Sequence, residues 1–395
     1  MKICLDTTPV TVQPSGVGLY ILNLVKELTQ QKTERGFELF LSHQPRLASW
    51  LKGSWAFPPQ LQSHEPKQIL PLPVRLSNLL FREQTGFSSK ILTQYLGSPD
   101  IIHGTNYSVY PTSCGCRIMT IYDVSFGLYP EYATSVSRAY LQAIRKCLRW
   151  TDLIITISES SKRDIVNFFD VSADRVWVTP LASRYPISVN NEEELPSSRA
   201  RLLTISHNNP WSVDFNQPYI LFVGTLEPRK NIKAIVQSFN QLKSRYKIEH
   251  QLLLVGQKGW LYEPILDAVA QSPYKHSIHH LDYVSESFMV ELYKSATAFV
   301  YQSHYEGFGL PVLESMSLGC PVISSNTSSI PEVAGDAAIL VSPNDIDALA
   351  DALYRLISHP SLRQEYVQAG YKQAETFSWQ RTAQSTIEAY YSLMS

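Results

Sequence analysis

The chain has 395 residues, of which 44% are hydrophobic and 17% charged, and its formal net charge is −1. That length allows two ordinary domains with a core in each, and the composition fits a soluble globular protein. A charge near zero gives no broad pull towards nucleic acid or an anionic surface, and no apolar run reaches the length of a membrane span. The opening Met1-Lys2-Ile3-Cys4-Leu5-Asp6 reads as a first strand and not as a leader peptide. Residues 7–18 follow as a loop ending in Ser15-Gly16-Val17-Gly18, and Tyr20, Ile21, Leu24, Val25 and Leu28 then recur at helical spacing. Residues 37–41 form a second strand. Between 42 and 95 prolines break any long helix, and aromatic residues, among them Trp50, Trp55, Phe57 and Phe81, are expected to anchor an irregular connection.

Asp100-Ile101-Ile102-His103-Gly104 and Arg117-Ile118-Met119-Thr120-Ile121-Tyr122-Asp123 are strands with polar tips. In a parallel sheet both tips reach the same edge, where ligands settle. Val136, Tyr140, Ile144 and Leu148 mark a helix, and residues 153–157 a strand. Ser158 is placed to cap the helix carrying Ile165, Val166 and Phe169. Residues 188–218, with Glu192-Glu193-Glu194 and several Asn and Pro, read as a linker. Cysteines at 4, 114, 116, 147 and 320 are scattered, and Cys114-Gly115-Cys116 lacks zinc spacing. No metal site is expected, and free thiols suit a reducing cytoplasm.

The second half opens on the apolar strand Tyr219-Ile220-Leu221-Phe222-Val223-Gly224. Next comes Thr225-Leu226-Glu227-Pro228-Arg229-Lys230-Asn231, with Asn231 as the expected N-cap of a helix holding Ile232, Ile235, Phe239 and Leu242. Two cations just before a helix start oppose its macrodipole, which makes sense where an anion shares the site. Strands at 251–256 and 278–281 follow, the latter leaving through Asp282-Tyr283-Val284-Ser285.

After the strand Thr297-Ala298-Phe299-Val300-Tyr301 lies His304-Tyr305-Glu306-Gly307-Phe308-Gly309-Leu310-Pro311-Val312-Leu313-Glu314. Pro311 suits the first helical position, so this is strand, glycine-bearing loop and helix, a natural phosphate site. Glu314 would fall in the first turn, where an acid also favours the macrodipole. Glu306, in the loop, has no capping duty, and its lone pairs suit sugar hydroxyls. Residues 344–357 and 360–375 read as amphipathic helices, and a last helix follows Ser378.

Glu306 and Glu314, with seven residues between them, sit in Glu-Gly-Phe-Gly-Leu-Pro-Val-Leu-Glu, which resembles the signature of retaining glycosyltransferases of family 4. Gly319-Cys320-Pro321-Val322-Ile323 and Ile330-Pro331-Glu332-Val333-Ala334-Gly335 match that family's next elements in order. The resemblance covers nearly the whole chain and is most specific over 219–343. It implies an α/β protein of the GT-B kind, two Rossmann-like doubly wound domains facing across a cleft. Residues 1–205 would be the acceptor-side domain, 206–376 the nucleotide-sugar domain, and 377–395 a helix crossing back to the first.

The same resemblance implies roles. Arg229 and Lys230 would neutralise a leaving diphosphate, aided by the helix start at Leu310. Glu306 would hold donor-sugar hydroxyls and Glu314 the ribose. Gly224, Thr225, Gly307, Phe308 and Gly309 would line the donor, with Tyr283 and Val284 at the base. Gly16 and Gly18 would let backbone approach the donor, and Asp123 and Tyr122 would line the donor sugar or acceptor. Three positions depart from the pattern: Leu19 and Thr225 stand where many members have arginine, and Tyr122 where most have histidine. His103, on the neighbouring strand, is the candidate to compensate for the last.

The expected activity is metal-independent transfer of a sugar, with retention, from a nucleotide diphosphate sugar to a glycan or lipid-linked acceptor. The segment from Gly224 to Asn231 resembles mannosyltransferases of polysaccharide assembly, implying GDP-mannose, with a UDP-sugar as the alternative. The nucleotide sugar is a substrate, so no cofactor is expected, and the cytoplasmic location leaves association with the inner membrane face open. A glycosidase would need one of the glutamates kept protonated, whereas cations beside them favour the ionised form. Asp345-Ile346-Asp347 has the D-x-D form of metal-dependent transferases, but it opens a helix, where capping explains it. The alternative of another class is a catalytically silent partner that binds sugar nucleotide or glycan, which Leu19 and Tyr122 would suit.

Overall fold

A computed structural model describes residues 1–14, 16–45, 47–53, 55–73, 77, 86–187, 201–202, 211 and 213–394. Phe81, the acidic triplet at 192–194 and most of the expected linker lie outside the described residues. The chain divides into two compact units, Met1–Leu181 with Trp379–Ser395, and Ala182–Ser378. The change of unit thus falls at Leu181, ahead of the turn-rich stretch where the sequence placed it.

In the first unit seven parallel strands are ordered β3-β2-β1-β4-β5-β6-β7. They are β1 (Lys2–Asp6), β2 (Glu38–His43), β3 (Lys67–Ile69), β4 (Ile101–Gly104), β5 (Cys116–Thr120), β6 (Leu153–Thr156) and β7 (Val176–Val178). The second unit's sheet runs β10-β9-β8-β11-β12-β13, again parallel. Its strands are β8 (Tyr219–Val223), β9 (Gln251–Val255), β10 (Ile278–Leu281), β11 (Ala298–Tyr301), β12 (Val322–Ser325) and β13 (Ala338–Val341). Strands covered on both faces must be apolar at every position. Ile3, Cys4 and Leu5 in β1, Ile220, Leu221 and Phe222 in β8, and Leu252 to Val255 in β9 are accordingly 0% exposed.

Each sheet reverses its winding once. The chain goes from β1 outward to β2 and β3, then returns to place β4 on the other side of β1; β8, β9 and β11 repeat this in the second unit. In open parallel sheets, the carboxyl ends of strands at such a reversal leave a crevice that loops do not fill.

Helices cover the sheets by apolar stripes. In the helix Ile232–Tyr246, Ile232, Ile235, Val236, Phe239 and Leu242 are buried, each contributing about 1.5–3 kcal/mol. The C-terminal helix Trp379–Tyr391 belongs to the first unit and buries Ala383, Ile387, Ala389 and Tyr390 there. Thr382 Oγ1 donates to the Pro180 carbonyl (2.6 Å), and Trp177 Nε1 donates to Ser385 Oγ (3.0 Å).

Three local expectations are corrected. The helix Gly16–Gln31 begins at Gly16, so Gly16 and Gly18 lie in its first turn and not in the preceding loop. A Cβ on Gly18 would stand 2.9 Å from Pro14 Cβ, so this glycine makes room for the incoming loop, while nothing lies within 4 Å at Gly16. Asn231 caps nothing with its side chain: it is left-handed (φ 53°), and Nδ2 donates to the Pro343 carbonyl at 2.7 Å. The helix marked by Val136, Tyr140 and Ile144 is present as Ser135–Cys147, with Val136 60% exposed. The helix after the glycine loop is Leu310–Ser317, which puts Pro311 second and Glu314 in the second turn. The macrodipole reading of Glu314 therefore falls away. Ser158 and Asp345 do cap their helices, accepting from the Ser161 and Ala348 amides at 3.0 and 2.9 Å.

Candidate active site

The second unit's reversal lies between β8 and β11, and the loops leaving these strands carry most of the expected site. The exit of β9 is drawn tightly against that of β8. A Cβ on Gly256 would come 2.1 Å from the Gly224 carbonyl oxygen, so only glycine permits this approach. Beyond Gly224 and the exposed Thr225, a single turn of 3-10 helix, Pro228–Lys230, turns Arg229 and Lys230 back towards the loop after β11.

There the two cations close on one carboxylate. Lys230 Nζ lies 2.6 Å from Glu306 Oε1, and Arg229 Nη1 lies 3.0 Å from Glu306 Oε2. Lys230 also donates to the Tyr301 hydroxyl (2.6 Å), with its ammonium 5.1 Å from that ring's centroid. Arg229 donates to the Tyr305 carbonyl (2.7 Å) and to Glu227 Oε1 (2.6 Å). The loop is fixed by Ser328, whose Oγ accepts from the Glu306 amide (2.8 Å), and by Ser329, whose hydroxyl donates to the Glu306 and Phe308 carbonyls (2.9 and 2.8 Å).

The cluster is buried, and its protonation follows from competing terms. Burial alone would raise the Glu306 carboxyl, but Arg229 and Lys230 outweigh it and hold the group at about 2. Lys230 is pulled below its ordinary value by burial and by Arg229, against Glu306. Burial pushes Glu227 up, with Arg229 opposing. Two cations thus face two carboxylates, and the guanidinium and ammonium are held where an incoming anion would compete with Glu306 for them.

The helix Leu310–Ser317 starts four residues beyond Glu306, with left-handed Gly309 (φ 105°) as its N-cap. Pro311 carries no N–H, and the Val312 amide already donates to the Gly309 carbonyl (2.9 Å). The donors left for an anion are therefore the Gly309 and Leu310 amides. Phe308 is buried edge-on against Phe377, with ring centroids 5.7 Å apart. Glu314, also buried, is paired: Arg184 Nε lies 2.8 Å from Oε1, and Nη2 lies 3.4 Å from Oε2. Burial raises the Glu314 carboxyl, and Arg184 opposes this. After β10, Tyr283 is 75% exposed while Val284 is buried.

The structure therefore gathers Arg229, Lys230 and Glu306 into one cluster, with the glycine loop and helix start beside them in the chain. Sequence reasoning missed Glu227, Tyr301 and Arg184. Glu227 was visible two places before Arg229, an acid beside two cations; Arg184 stands in a stretch with no periodic signal at all.

In the first unit the expected residues do not form one cluster. His103 is fully enclosed, its Nε2 2.7 Å from Thr120 Oγ1 and its Nδ1 2.7 Å from the Tyr390 hydroxyl. Burial holds it neutral, pulled down to about 3, so it cannot stand in for a cationic histidine. The Tyr122 hydroxyl donates to the Thr105 carbonyl (2.7 Å), and its ring packs edge-on against Tyr20 and Tyr107. Asp123 Oδ1 accepts from the Ser125 amide and hydroxyl (2.8 and 2.6 Å), closing a tight turn. Among the described residues no three His, Cys, Asp or Glu side chains assemble as metal ligands.

Comparison with known proteins agrees with the fold. Residues 207–373 match the family described as Glycosyl transferases group 1, and residues 14–182 match Glycosyltransferase Family 4. O-antigen chain mannosyltransferase B of Escherichia coli is 31% identical over 99% of both chains. Among solved structures, sucrose-phosphate synthase from Thermosynechococcus elongatus superposes with a TM-score of 0.69 at 18% identity, covering 100% of this chain and 99% of that one. HepE from Anabaena, solved with UDP-glucose, gives 0.68 at 15% identity over 99% and 100%. The fold is that of GT-B glycosyltransferases, and the chain belongs to glycosyltransferase family 4.

Proposed function

We propose that this protein transfers mannose from GDP-mannose to a glycan or lipid-linked acceptor in polysaccharide assembly, with retention of configuration and without a metal. The observation that carries the reading is the convergence of Arg229 and Lys230 on a single buried carboxylate. Two fixed cations can take over the charge of a departing diphosphate, and a buried setting makes them worth more than in water. On donor binding the diphosphate replaces Glu306 as their partner, and Glu306 turns to the sugar hydroxyls. Glu314 accepts from the ribose. The bond from the anomeric carbon to the diphosphate oxygen then breaks, its electron pair leaving with GDP. The acceptor oxygen bonds to the same face of that carbon, and its proton passes to the diphosphate oxygen.

Mannose and the polysaccharide setting rest on the similarity to the Escherichia coli mannosyltransferase. No helix among the described residues is long and apolar enough to cross a membrane. Calorimetry with GDP, UDP and ADP, followed by turnover of GDP-mannose, tests the reading. Preferential GDP binding with mannosyl transfer supports it. Preference for UDP moves the donor to a UDP-sugar, and donor binding without transfer or slow donor hydrolysis leaves a silent binding protein.

A further inference from the structure

Strand β11 ends on Tyr301, a buried residue whose ring is fixed by its neighbours. Phe222, on the adjacent strand β8, stacks against it with centroids 5.9 Å apart and planes 20° from parallel. Phe299, two places earlier on the same side of β11, stacks at 5.8 Å and 19°. At the exit of β8 a Cβ on Gly224 would stand 3.7 Å from the ring, so backbone closes over its edge. Three aromatic rings on two paired strands leave this side chain no second place to go.

What the ring presents is an oxygen. The Tyr301 hydroxyl accepts from Lys230 Nζ at 2.6 Å. Burial and the charge of Glu306 push the phenol well above its ordinary value of 10, with Arg229 opposing, so that oxygen stays neutral. An ammonium has three N–H donors. In Lys230 one goes to Glu306, one to Tyr301, and the third has no partner among the described residues.

The two cations are alike in how they are held. Arg229 shares Glu306 and also keeps Glu227 and the Tyr305 carbonyl. Each cation therefore has one partner that an incoming anion would displace and another that it would not. For Lys230 the second partner is the phenol. Burial and Arg229 already pull this ammonium down, and losing Glu306 would remove the main opposing charge. A fixed acceptor favours the charged form and limits where the ammonium can point. Being neutral, it does not repel a phosphate, as a second carboxylate would.

We infer that Tyr301 is a positioning residue, its hydroxyl holding the Lys230 ammonium in place while Glu306 gives way to an incoming diphosphate. This rests on the reading of Arg229 and Lys230 as the diphosphate site. It adds that the aim of the lysine is set from the end of β11 and survives the loss of Glu306.

Tyr301→Phe keeps the stacked rings and deletes one oxygen. Calorimetry on the full chain uses whichever of GDP, UDP and ADP the wild type binds most tightly. The proteins compared are wild type, Tyr301→Phe, Lys230→Ala and the double variant, each assayed well below the lowest of the four melting midpoints. Tyr301→Phe should weaken binding about tenfold, as for loss of one hydrogen bond to a charged group. In the Lys230→Ala background the same change should do nothing, because the group it acts through is gone. The alkaline limb of nucleotide affinity should also move to lower pH in Tyr301→Phe. Arg229, Glu227 and Glu306, the charged groups around Lys230, are common to both proteins. Wild-type affinity in Tyr301→Phe beside a weakened Lys230→Ala overturns the inference and leaves the diphosphate reading intact. An equal loss in both backgrounds, or an unmoved alkaline limb, overturns it too, by assigning Tyr301 to the fold. No nucleoside diphosphate binding by the wild type, or full binding by Lys230→Ala, removes the diphosphate reading and the inference with it.

Discussion

Lys230 and Glu306 stand 76 positions apart in sequence, yet their charged ends meet at 2.6 Å, each residue only 7% exposed. On the proposed reading this pair, with Arg229 on the other carboxylate oxygen, is what an incoming diphosphate must open. Lys230→Ala should lower turnover about 10²–10³-fold, as for removal of one preorganised charge donor. Melting should change less, because Glu306 keeps Arg229. Steady-state kinetics beside Lys243→Ala, a change well away from this cluster, is the measurement; equal rates would remove Lys230 from the site.

Glu306→Gln separates binding from turnover. In the free protein it leaves two buried cations short of a counter-charge, which should cost about 3–5 kcal/mol, as for breaking a buried pair. A bound diphosphate supplies that charge, so GDP should raise the melting temperature of the variant by more than that of the wild type. Turnover should nonetheless fall, because the carboxylate is no longer there for the sugar. Equal GDP-induced shifts in the two proteins would show that diphosphate does not replace Glu306.

Much of this was legible in sequence, for identifiable reasons. Parallel strands buried on both faces must be apolar throughout, so β1, β8, β9 and β11 stood out. Arg229, Lys230 and Glu306 were legible from local oddity, cations ahead of a helix and an acid in a glycine loop. Their convergence was not, since it depends on β8 and β11 being neighbours. His103 read as a polar strand tip and is instead enclosed, because Tyr390, 287 residues later, covers it. Asn231 read as a cap, but the preceding 3-10 turn forces it left-handed and sends its amide to Pro343.

Arg184 is a positioning residue for Glu314 on this reading. Arg184→Met removes the guanidinium that opposes the burial-driven rise of the Glu314 carboxyl. The loss in stability should be about 1–3 kcal/mol, below the usual figure for a buried pair because the Arg184 side chain is 33% exposed. If Glu314 receives the ribose, the affinity for GDP should fall while that for inorganic diphosphate stays. A parallel loss of both would assign Arg184 to the fold alone.

The first unit should carry a readable pH signature in which two groups oppose each other. His103 has an ordinary value of 6.5 and is pulled down to about 3 by burial. Between these limits the unfolded chain binds the extra proton, so stability falls as pH falls, by about 1.4 kcal/mol per pH unit. Asp6 is shifted the other way, from 3.8 up to about 6, mainly by burial. Between those limits the folded chain binds the extra proton, so stability rises as pH falls. From about pH 6 to 4 these two contributions cancel, and below that only the His103 loss continues. His103→Gln retains hydrogen-bonding groups for Thr120 and Tyr390 but does not titrate. Its stability relative to wild type should therefore climb steadily from pH 6.5 downward, by about 1.4 kcal/mol per unit, in urea titrations at fixed salt. A difference that stays constant with pH would mean that His103 is not held neutral in the folded protein.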